Sequence, residues 1–180
     1  PMAERVSEAG GSVDLDDFEF PSAAEVGHFY GKMAQDSNLD LATRIKATAF
    51  ALHFVMDACC AHHVKGYLLN GHSEWEVELE KQWRGRFNQI GTEQEDIELM
   101  FAEISKNVAS EFEGSELLDC DSVGDIIESN AKFTQRWMND SPVDYDLAMD
   151  GDIEEPLAQK ICLRAISACA AGLALMIGKI

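Results

Sequence analysis

The chain of 180 residues carries 33 acidic against 14 basic side chains, a formal net charge of −19. At 46% apolar and 26% charged it has a globular composition with enough length for a real core, which argues against a disordered polyanion. A surface this negative is repelled by phosphate backbones and anionic leaflets, so the expectation is no nucleic-acid partner and no membrane partner.

Taken in chain order, the opening Pro1-Met2-Ala3-Glu4-Arg5 lacks the cationic patch and apolar run of a secretory signal. The five cysteines, Cys59, Cys60, Cys120, Cys162 and Cys169, are an odd number without the look of a disulfide framework. Reduced thiols and a cytoplasmic location are expected. Residues 1–20 read as a flexible acidic tail, in which Gly10-Gly11-Ser12 precedes Asp14-Leu15-Asp16-Asp17-Phe18-Glu19-Phe20. Pro21 then opens a domain over 21–180.

From Pro21 onward apolar residues recur at three and four, the period of helices, and no alternating strand run is visible, so the domain reads as all-α. Ser22-x-x-Glu25, Ser73-x-x-Glu76 and Thr92-x-x-Glu95 match the capping box, and Ser141-Pro142 marks a further start. Stops are expected at Asn70-Gly71, Gly91, Gly114 and Asp150-Gly151. Helices 22–35, 73–89, 92–112 and 121–138 each show one apolar stripe, and the first is expected to turn Val26, Phe29, Tyr30 and Met33 inward. The segments at about 40–69 and 156–178 are apolar nearly all round and are expected to be central. The prediction is a single-domain bundle of six or seven helices around this pair. Ala165, Ala168, Cys169 and Gly172 would let backbones approach closely, and the last helix could equally seat against a second copy in a homodimer.

Asp57 and Arg164 are charges in otherwise apolar helices, and a buried charge needs a partner. Their pairing across the central interface is the simplest expectation. His53-x-x-x-Asp57 and His72-x-x-x-Glu76 each place an imidazole and a carboxylate one turn apart, as in helical-bundle metal sites. With His28, this arrangement partly resembles hemerythrin: His28, His53-x-x-x-Asp57 and His72 stand in the first three places of its pattern, with nineteen residues from His53 to His72. Glu76 stands where that pattern has a second histidine, and no histidine follows His72. The resemblance implies a metal site at His28, His53, Asp57, His72 and Glu76, holding iron, manganese or zinc in an oxygen or redox role. Cys59-Cys60-Ala61-His62-His63 is the densest group of soft donors. It is read as buried thiols followed by histidines where the helix emerges, because zinc needs four ligands and no second Cys or His cluster is evident. Glu74, Glu76, Glu78 and Glu80, facing Glu93, Glu95, Asp96 and Glu98, invite comparison with magnesium-dependent helical pyrophosphatases.

No phosphate loop, nucleophile elbow or HExxH occurs. The reading favoured from sequence is therefore a non-enzymatic acidic binding protein of inhibitor, immunity or adaptor type. Its negative surface would engage a basic protein surface, with Asp14, Asp16, Asp17, Phe18 and Phe20 as a strip for a groove rimmed by Lys or Arg. The alternatives are the metal-binding bundle and a magnesium-dependent all-α hydrolase.

Overall fold

Ser22 starts the first helix as its spacing from Glu25 predicts. Its hydroxyl accepts the Glu25 amide at 3.2 Å while the Glu25 carboxylate accepts the Ser22 amide at 2.7 Å, a complete capping box. In the computed structural model, residues 21–65, 72–89, 115–141 and 154–177 are described, together with Ala102, Ser105, Lys106 and Ser110. The helices are α1 (Ala23–Gln35), α2 (Leu41–Asp57), α3 (Ala61–Lys65), α4 (His72–Gln89), α5 (Val123–Asp140) and α6 (Glu155–Ile177). A 3₁₀ turn at Glu116–Asp119 precedes α5. No strand occurs among the described residues, and the chain is an all-α bundle. The tail 1–20, the Thr92 box and the Pro142 start lie outside the described residues, although the four isolated residues within 92–112 are helical.

The first core cluster lies where α1, α2, α5 and α6 meet, around Ala51, Val55, Ile126, Ile127 and Ala168. Val123, Ile126, Ile127, Trp137 and Met138 of α5 are all buried, as the periodicity of that helix predicts. α1 meets expectation only in part: Tyr30 and Met33 pack against this core, whereas Phe29 does not. Phe29 is 60% exposed, and the buried face is Gly27, Gly31 and Ala34. The reason is steric: a Cβ on Gly27 would run into Ile127, and one on Gly31 would meet Val123 Cγ2 at 2.8 Å, so α1 and α5 touch where side chains are missing. Tyr30, rather than Phe29, meets α2, stacking on Phe50 with centroids 5.1 Å apart.

The segment expected as one helix over 40–69 is two. Beyond Asp57 the bonds tighten to three residues, Cys59 N–H to Met56 O and Cys60 N–H to Asp57 O, both at 2.9 Å. Carbonyls at a helix end need outside donors. Asn130 Nδ2 donates to Val55 O at 3.0 Å and Thr134 Oγ1 to Ala58 O at 2.8 Å, so two α5 side chains hold the end of α2 in place. Past the break, a second core cluster gathers Cys59, Cys60, Ala61, Trp75, Trp137, Met138, Ala158 and Ile161.

Asp57 and Arg164 do not pair. Arg164, buried on α6, donates Nε to Asn130 Oδ1 at 2.9 Å, Nη2 to Ser129 Oγ at 2.8 Å and Nη1 to Ser115 Oγ at 3.2 Å. Asp57 is the last residue of α2 and turns to histidines instead. By length and composition alone, Pro156–Ile177 could cross a membrane, with mean hydropathy 1.7; within the bundle 33% of that window is buried.

Candidate metal centre

The candidate donors come from the tightened turn after α2, from α3 and from the start of α4. Cys60 Sγ and one ring nitrogen each from His63 and His72 all lie within 4.8 Å of one another. His63 Nε2 and His72 Nε2 are 2.8 Å apart, and their rings stand edge to face at 88°. A hydrogen bond between two imidazole nitrogens needs one to donate and the other to accept, so at least one ring is neutral.

Carboxylates and two more imidazoles surround this group. Asp57 Oδ1 is 3.7 Å from His63 Nε2 while its Oδ2 is 3.3 Å from His53 Nε2. Glu76 Oε1 is 3.5 Å from His72 Nε2. His62, buried, has its ring centroid 5.8 Å from that of His72 and 6.1 Å from that of Trp75. The two couples expected from spacing, His53 with Asp57 and His72 with Glu76, thus belong to one constellation linked through His63.

The corrections to the expected metal set follow from this geometry. Asp57, His72 and Glu76 stand at the site, and His53 stands behind Asp57. His28 does not join them: it is exposed on α1, where its Cβ faces Gly124 of α5. Glu76 is not the carboxylate of a Ser73 capping box, since α4 starts at His72 and Glu76 turns to that ring. Cys60 and His63, assigned by sequence to a structural role, are two of the three donors that lie close together. The missed signal was the run Cys60-x-x-His63 followed nine residues later by His72.

Burial raises the pKa of the interior thiols. Burial pushes Cys59 up to about 12 and Cys162 and Cys169 up to about 11, which keeps them protonated and unreactive at neutral pH. Cys60 is pushed up to about 11, again chiefly by burial, but the amides of His63 and His62 hydrogen-bond its sulfur and pull the other way. Burial holds His63 below its ordinary value, opposed by the nearby Asp57 charge. A neutral imidazole is the form that binds a metal.

No family model, curated protein or solved structure matches the chain. The chemistry therefore rests on the donors themselves. One thiolate and two imidazoles are a borderline-soft set that suits zinc, at about 2.3 Å from sulfur and about 2.0–2.1 Å from nitrogen. Two nitrogens on a tetrahedral zinc sit about 3.4 Å apart by those bond lengths. His63 and His72 would need to part by roughly half an ångström from their hydrogen-bonded distance, a small rotamer adjustment.

Glu74 and Glu80 are exposed, Glu78 pairs with Lys81 at 3.0 Å, and Glu93, Glu95, Asp96 and Glu98 lie outside the described residues. Asp14, Asp16, Asp17, Phe18 and Phe20 lie outside them as well.

Proposed function

We propose that this is a metal-binding helical protein whose centre, Cys60, His63 and His72, holds one zinc-class cation. The observation that carries the reading is the convergence of one sulfur and two ring nitrogens within 4.8 Å, from the turn before α3, from α3 and from α4. This keeps the metal-binding alternative and replaces its ligand set. Donor softness favours zinc over magnesium, which takes oxygen ligands. Metal analysis of full-length protein purified without chelator, followed by zinc titration against a chromophoric chelator, tests it. Near-stoichiometric zinc is expected, with Cys60→Ser, His63→Ala and His72→Ala each lowering affinity. A chain that is metal-free and takes up no zinc would overturn the proposal.

A second reading, the acidic binding module for a basic protein surface, is supported by a recess of about 350 Å³ lined by Glu116, Asp119, Asp121, Asp125 and Glu128 with Lys132. Such a surface attracts cationic partners over a Debye length of ~8 Å at physiological salt. Binding of a basic protein that fades as salt rises supports it; salt-indifferent binding counts against it.

A further inference from the structure

Three ligands leave a fourth position on zinc, and whether a side chain fills it distinguishes a closed structural centre from an open one. Two carboxylates flank the three donors without joining their 4.8 Å group, each beside one of the histidines, and they are held differently. Glu76 is 58% exposed on α4, with one more rotatable bond, and it touches His72. Asp57 is 22% exposed, and its own carbonyl accepts the Cys60 amide, so Asp57 and Cys60 share one turn. Its two oxygens have separate tasks: Oδ1 faces His63 while Oδ2 faces His53. A ligand whose far atom is held by an outer partner is oriented before the metal arrives, and a short, fixed side chain loses less freedom on ligation than a long exposed one.

On the metal-binding reading above, we infer that Asp57 is the fourth protein ligand and His53 its positioning residue, giving a closed Cys-His-His-Asp centre. The ion then joins the end of α2, the short α3 and the start of α4. This is a mechanical role as well as a chemical one, because α3 packs against α5 whereas α4 packs against α6. The ion cross-links parts of the bundle that are anchored to different helices.

The test uses the full chain with zinc alone and with cobalt(II) alone. Asp57→Asn should weaken zinc by more than about 100-fold, beyond the roughly 10–100-fold typical of an outer-sphere partner, and His53→Ala should fall within that outer-sphere range. His53→Gln, which retains an N–H donor toward Oδ2, should restore most of the loss, and Glu76→Gln should weaken zinc by less than Asp57→Asn does. Wild-type cobalt protein should show the strong visible bands of four-coordinate geometry, a measurement that needs no variant to fold. A wild-type chain that binds neither ion defeats the metal-binding reading itself. If zinc binds wild type and Asp57→Asn equally, if Glu76→Gln loses it instead, or if wild-type cobalt shows the weak bands of higher coordination, only the Asp57 assignment falls.

Discussion

Asn130 accepts Arg164 Nε at 2.9 Å with one end of its amide and donates to Val55 O at 3.0 Å with the other. It therefore joins α6 to the end of α2 through α5, in the buried position where an aspartate would be the obvious partner for an arginine. The choice of an amide has a physical reason. A carboxylate only accepts, whereas the amide both accepts and donates, and Val55 O needs a donor because the helix beyond it stops.

Asn130→Ala is expected to cost about 3 kcal/mol in urea unfolding, since it leaves Val55 O with only the long Cys59 thiol contact at 4.0 Å and weakens the hydrogen bonding of a buried charge. Asn130→Asp should not restore that stability at pH 7, despite its charge, because an oxygen would then face Val55 O. An aspartate variant as stable as wild type would mean that the Val55 contact contributes nothing.

The approach of α1 to α5 makes a second prediction. Gly31→Ala drives a methyl into Val123, a stiff β-branched side chain, and should destabilise the protein by roughly 1–3 kcal/mol. Gly27→Ala meets the flexible end of Ile127, so the paired change Gly27→Ala with Ile127→Val should recover much of the loss. Thermal melts of the single and double variants form the cycle; simple additivity would mean that these atoms do not collide.

These positions mark the limits of what local pattern can reveal. The start of α1 was legible because a capping box involves four consecutive residues, and the stripe of α5 because its large apolar residues point inward. Tyr30 and Met33 of α1 were legible by the same pattern, but the glycines at its closest approach to α5 were not, and counting large residues drew Phe29 inward. The break in α2 depends on Asn130 and Thr134, 75 and 76 residues away from the carbonyls they hold. The same holds for the candidate centre. Couples at i and i+4 were visible in the sequence, but Cys60 and His63 meet His72 through a tertiary contact that no helical spacing encodes.

Zinc binding at this centre should depend on pH in a way that identifies the ligands. Burial pushes the Cys60 thiol up to about 11, so between pH 7 and 9 an incoming ion must expel its proton. Affinity should then rise about tenfold per pH unit across that window, one proton released for each ion bound. Burial holds His63 below its ordinary 6.5, so this ring is neutral at pH 7 and adds no proton there. It competes only in more acid solution, where the dependence should steepen as His63 takes up a proton. Calorimetric titrations in buffers of different ionisation enthalpy count the released protons directly. Cys60→Ser should both weaken zinc and flatten the slope between pH 7 and 9, because a serine hydroxyl is not deprotonated by the ion in the same range. If wild type releases no proton at pH 8, the sulfur is not a ligand, and the imidazoles and Asp57 would have to hold the ion without it.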